Sequence, residues 1–229
     1  MSKNIKKSKP ILSQNDLKLV IQIASDAIGS QLYIPSTEYF LNETEKMARR
    51  LLESYLLRIN RSEEKLSICG GKIVETEAYL DKTDPASHAA TTKITTRNRI
   101  FYENGGLSYV FHAHGIYYCF NVIVRPKGLA GCVLIRALEP IFGIELMAQR
   151  RGKSPKQLLD LCSGPGKICQ SLGIDARYTG YDLRQSELLI LTPKRKDIKS
   201  VASGPRIGIT NAIDWKLRFW EKDSKYVSR

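Results

Sequence analysis

The sequence predicts an α+β fold: a single mixed domain with a central, mostly antiparallel, curved β-sheet surrounded by helices. Three observations predict it. Apolar residues recur at helical spacing over residues of about 26–60, β-branched and aromatic residues crowd the middle of the chain between short turns, and helical patterning returns after residue 141 ahead of late strands. No fixed-period repeat, low-complexity segment or Pro/Gly/Ser linker divides the 229 residues. Residues 13–229 are therefore expected to fold together, behind a disordered basic tail formed by residues 1–12.

Taken in order, the tail holds four lysines and a proline with almost nothing to bury. The run ETEKMARRLLESYLL then predicts an amphipathic helix whose Met47, Leu51, Leu52, Tyr55 and Leu56 share a face, capped by Asn42 or Thr44. SICGGKIVETEAYL, LSYVFHAHGIYYCFNVIV and AGCVLIRALEP read as strands. Helices follow at IFGIELMAQRRG and around Gly164 to Leu172, where Ser163 is a candidate cap and Pro165 sits near the first turn.

Lys and Arg outnumber Asp and Glu by 36 to 23, a formal charge of +13, so a polyanion is the expected partner, nucleic acid ahead of an anionic membrane surface. The five cysteines are scattered among apolar neighbours, which fits reduced thiols rather than a disulfide framework. The apolar piece LVIQIA is far too short to span a bilayer, and a soluble intracellular protein is expected.

Candidate chemistry concentrates in IVETEAYLDKTDPASHA. On a strand, period two places Ile73, Glu75, Glu77 and Tyr79 on one face and Val74, Thr76, Ala78 and Leu80 on the other. Two carboxylates on one face suit glycosidic-bond chemistry or part of a metal site; solvated glutamates on an exposed face are the plain alternative. Of the three histidines, His112 and His114 form HAH, yet no third ligand stands at a supporting spacing. A Walker A loop, a G-x-G-x-x-G turn, a G-x-S-x-G elbow and the zinc deaminase pattern are absent. Aromatic residues between Tyr79 and Phe120 either fill a core or wall a slot for a planar base. Ser163, Gly164, Gly166 and Lys167 have the chemistry of a helix start that holds phosphate, or of an ordinary capped helix.

Taken together, IVETEAYL with PASHA, TTRNRIFY, GLSYVFHAHGIYYCFNV, CVLIRALEP and LCSGPGKICQSLGI, followed by PRIGIT and RFW, resemble the alkyladenine (3-methyladenine, methylpurine) DNA glycosylase family over most of residues 30 to 220. The resemblance implies a monofunctional glycosylase that needs no cofactor or metal. It would act as a monomer on double-stranded DNA, flip damaged purines out of the stack and leave an abasic site. By resemblance, Glu77 is the base that activates water and Arg136 holds Glu77 and that water. Tyr79, His88 and Phe111 enclose the base, Asn121 disfavours the amino group of guanine, and His114 is the DNA wedge. Glu75 is left as a supporting carboxylate. Phe111 and His114 stand where the familiar members carry tyrosine, so hydrogen bonding in the pocket and the pH dependence of the wedge are expected to differ.

Overall fold

The computed structural model describes residues 12–61, 66–90, 93–96, 98–113, 115–194 and 200–228. The tail expected over residues 1–12 lies outside them apart from Leu12, which is buried. Nine strands, all paired antiparallel, form one open sheet, and six α-helices pack around it among the described residues.

The chain opens with α1 (Gln14–Ile28). Ser13 and Asp16 form a reciprocal capping box at its start, and Gly29, at φ +69°, closes it in the left-handed region. Strand β1 (Leu32–Tyr33) and short helices α2 (Thr37–Phe40) and α3 (Thr44–Leu51) follow. The helix expected through ETEKMARRLLESYLL ends at Leu51, because the YLL run opens β2 (Tyr55–Arg61). Its apolar residues are consecutive because both faces of the sheet are covered here. Leu56 joins the main core, while Tyr55, Leu57 and Ile59 pack in the cluster that includes Leu17, Val20 and Ala24 of α1. Neither proposed cap serves α3: its N-cap is Glu43, with no side-chain bond, and Asn42 Oδ1 accepts from the Glu43 amide instead.

Strand β3 (Leu66–Tyr79) runs through the centre of the sheet for 14 residues. One edge pairs with β6 (Cys132–Phe142); the other pairs first with β2 and then, over Glu75–Glu77, with β9 (Arg218–Glu221). A Cβ on Gly71 would stand 1.9 Å from the Glu139 carbonyl oxygen, so only glycine permits this approach of β3 to β6.

The sheet continues beyond β6 through β5 (Tyr117–Ile123) to β4 (Ser108–Ala113), and beyond β2 through β7 (Leu188–Pro193) to β1; β8 (Val201–Gly204) pairs with β9. Helices α4 (Ile144–Arg151), α5 (Leu158–Leu161) and α6 (Pro165–Leu172) each carry side chains into the main core.

Two irregularities in the β3–β6 register set the site. The pairing steps from Ile73↔Leu138 to Glu75↔Ala137 and then to Thr76↔Ile135, leaving Val74 and Arg136 as extra residues on their strands. The faces consequently exchange along β3, which corrects the strict period-two reading. Ile73 shares the main core with Ala78, and Thr76 on that side donates to the Ala48 carbonyl, whereas Val74 packs with Ala137 and Tyr226. Glu75, Glu77 and Tyr79 still converge, now around Arg136.

Candidate active site

Arg136 stands between the two glutamates. Its Nε donates to Glu75 Oε1 at 3.2 Å and its Nη1 lies 3.2 Å from Glu77 Oε1, with both carboxylates buried. Burial opposes the guanidinium charge, but Glu77 and Glu75 outweigh it and raise the arginine pKa above its ordinary value. The plain alternative of solvated glutamates is thereby removed.

The two carboxylates are held differently. Glu75 accepts from Arg136, from Arg218 Nη1 at 3.3 Å, and from the Ser228 amide and hydroxyl at 2.6 and 2.9 Å. These donors fill it. Glu77 accepts from the Ile207 amide at 2.7 Å on Oε1 and from the Tyr79 hydroxyl at 3.0 Å on Oε2. Burial pushes the Glu77 carboxyl above the usual range, opposed by Arg136, the Ile207 amide and the Tyr79 hydroxyl. Tyr79 is itself raised by burial and by the neighbouring Glu77. Replacing Ser228 with Ala removes the hydroxyl that bridges Glu75 and Arg136 Nη2. Thermal unfolding is expected to show a loss of about 1.5–3 kcal/mol, as for hydrogen bonds to charged groups.

Tyr79, Arg136 and Ile207 line a cavity of about 490 Å³ together with His88, Phe111 and Asn121. Its walls are the ends of β3, β4, β5 and β6, the 85–88 loop and the 207–211 segment. His88 Nδ1 lies 3.0 Å from the Tyr109 hydroxyl, and the His88 ring meets Phe111 edge-on at 4.6 Å. Tyr109 and Phe111 stack at 5.6 Å. Asn121 is fixed by Nδ2 donating to the Tyr109 and Cys119 carbonyls at 3.2 and 3.4 Å. Among the described residues no group of three or more His, Cys, Asp or Glu is placed to hold a metal ion.

Helix α6 abuts the cavity through Pro165, and a Cβ on Gly166 would stand 2.8 Å from the Tyr117 ring. The cap expected at Ser163 is absent: the N-cap is Gly164, and Ser163 bridges to Ala137. Lys167 is engaged by Asp160 Oδ1 at 2.6 Å and Ser163 Oγ at 3.3 Å, and Lys153 joins Asp160 at 3.1 Å. These lysines hold the Asp160 carboxyl down at about 2. Asp160→Asn would remove the carboxylate that both lysines share and leave Lys167 on the Ser163 hydroxyl. His114 lies outside the described residues.

The structure thus gathers Tyr79, His88, Phe111, Asn121 and Arg136 at one cavity, sets Glu77 behind Arg136 and off the lining, and brings the 163–167 segment to the cavity through Pro165 alone. Sequence reasoning missed Arg206, Asp84, Ile207 and Ser228. Nothing periodic marks them, although Arg206 and Ile207 lie within PRIGIT.

A buried carboxylate–guanidinium pair thus stands beside a cavity of about 490 Å³ with aromatic side chains in its walls. The methylpurine-DNA glycosylase (MPG) family model matches residues 38–225. A Francisella tularensis protein named "Putative 3-methyladenine DNA glycosylase" is 41% identical over 190 residues, covering 82% of this chain and 94% of the relative. Proteins of the same name from Granulibacter bethesdensis (46% over 163 residues, 70% and 74% covered) and Nitrosospira multiformis (38% over 195 residues, 85% and 93% covered) are similar. The chain belongs to the methylpurine-DNA glycosylase family.

Proposed function

We propose that this protein removes damaged purines, 3-methyladenine foremost and also hypoxanthine, 7-methylguanine and ethenoadenine, from duplex DNA. It hydrolyses the N-glycosidic bond of a flipped nucleotide and leaves an abasic site. The observation that carries the reading is the buried Glu77–Arg136 pair directly behind a cavity walled by Tyr79, His88, Phe111 and Asn121. A flipped base seated there stacks against Tyr79 and Phe111, and a cationic alkylated purine gains further from those ring faces. Asn121, locked by two carbonyls, adapts poorly to the amino group of guanine. A donor left unpaired there costs about 1–3 kcal/mol.

Glu77 exposes no surface, and its Oε2 accepts from the Tyr79 hydroxyl. The ring whose hydroxyl bonds Oε2 is also the ring on which the base stacks. Glu77 takes a proton from water as the water oxygen attacks C1′ and the C1′–N bond breaks, the base leaving with the bonding pair, and Arg136 keeps the carboxylate oriented. The same burial favours a second reading, a damaged-DNA-binding protein of this fold without turnover. Duplexes bearing each lesion, incubated with the protein and then treated with alkali, decide between them. Strand breaks at the lesion are expected; tight lesion binding without breaks would establish the second reading.

The formal charge of +13 supports binding through phosphate neutralisation, with log affinity falling against log salt at a slope of about −0.9 per contacted phosphate. No described helix is long and apolar enough to cross a membrane.

A further inference from the structure

The Arg206 side chain is fully buried, does not line the cavity, and touches both the β3 wall and the turn that leads into the 85–88 loop, directly before the 207–211 segment. Its Nη1 and Nη2 form a bidentate pair with Asp84 at 2.6 and 2.8 Å, and Nη1 also donates to the Ala78 carbonyl at 3.0 Å. Its guanidinium carbon sits 4.7 Å from the centroid of the Tyr79 ring. Asp84 in turn accepts from the Leu80 and Ala86 amides, each at 3.0 Å, and so shapes the turn that delivers His88. The residue after Arg206 is Ile207, whose amide grips Glu77. The Nε of Arg206 has no hydrogen-bond partner among the described residues, so hydrogen-bond demand alone does not set the guanidinium.

We propose that Arg206, clamped by Asp84, is a positioning residue that holds the Tyr79 ring, the loop bearing His88 and the amide on Glu77 in one register. The inference rests on the glycosylase reading for its kinetic consequence. A fully buried ion pair is a costly way to join two loops, since apolar residues of similar volume often serve as well for stability. What apolar residues would not supply is the planar, three-way fit of the guanidinium. Displacement of a catalytic group by about 1 Å costs on the order of 100-fold in rate.

Around Glu77 the charged and titratable groups are Arg136 on β6, Cys119 on β5, Glu75 and Tyr79 on β3, Arg218 on β9, and Arg206 with its segment. Loosening the 206–207 segment removes one amide donor and one nearby cation from that set. The acid limb of the pH–rate profile then moves up.

The test uses Arg206→Lys and the paired Arg206→Met/Asp84→Leu, which leaves no buried charge unpartnered. Single-turnover base release is followed against pH, and amide hydrogen exchange is read at Leu80, Ala86 and Ile207. In the paired variant, release is expected to fall about 100-fold, the acid limb to rise, and exchange to quicken at all three amides while the β2–β3 ladder stays protected. Arg206→Lys should lie between the paired variant and the wild type. Wild-type rate, an unmoved limb and unchanged exchange in either folded variant would overturn the proposal. If the wild-type protein itself releases no base, the glycosylase reading fails and the exchange measurement alone decides the positioning role.

Discussion

Glu77→Gln is expected to lower damaged-base release by about 10²–10⁴-fold while leaving duplex binding and the fold in place. Glutamine keeps the shape of the side chain and can still accept the Ile207 amide bond at the position of Oε1. Arg136 keeps one carboxylate partner in Glu75, so no buried guanidinium is left unpaired. What disappears is the carboxylate proposed to accept the proton. The wild-type protein should also lose activity on acidification at a pH above the ordinary glutamate range. Burial raises the Glu77 carboxyl, and only the ionised form takes a proton from water. Single-turnover release of hypoxanthine and 3-methyladenine, with a parallel binding titration, checks both statements. Near-wild-type release by the variant would remove Glu77 as the base.

The legible parts of this molecule are those with either a period or a motif. The central strands were readable because SICGGKIVETEAYL and CVLIRALEP are rich in β-branched residues between turns, and they correspond to β3 and β6. Helix α1 carries local signals at both ends that sequence reasoning missed. Ser13 with Asp16 marks its start and Gly29 its end, and LVIQIA, too short to span a membrane, lies within it. The YLL run misled because a strand buried on both faces loses alternation, and consecutive leucines after a helical stretch look like more helix. The exchange of faces at Val74 was hidden for another reason. A bulge depends on the pairing partner, and nothing within one strand announces it.

The site divides in the same way. Glu77, Arg136, Tyr79, His88, Phe111 and Asn121 were nameable because they sit in the stretches that carry the family resemblance. Composition alone left two glutamates of equal standing. The structure separates them by their donors: Glu75 meets Arg136, Arg218 and Ser228, whereas Glu77 keeps its second oxygen on a tyrosine that faces the cavity. Arg206 and Ser228 act through contacts with β3 that span more than a hundred residues of sequence. No local pattern encodes such a contact.

Arg136→Met is expected to destabilise the fold by about 3–5 kcal/mol at neutral pH, because it leaves the buried Glu77 carboxylate without its cation and Glu75 with Arg218 alone. The loss should depend on pH with a definite sign. Glu77 already has a folded-state pKa raised by burial, and removing Arg136 deletes the strongest charge holding it down. A carboxyl raised in the folded state takes up its proton more readily there than in the unfolded chain. Stability therefore falls as pH climbs from the unfolded value near 4.3 through the raised folded value, and is least impaired in acid. Denaturant unfolding of wild type and variant across pH 4–8 should accordingly give curves that converge toward the acid end. Adding Glu77→Gln to Arg136→Met should recover part of the neutral-pH loss, since Glu77 is the carboxylate left without a cation while Glu75 keeps Arg218; recovery of nothing would mean that the guanidinium matters to packing rather than to the charge of Glu77.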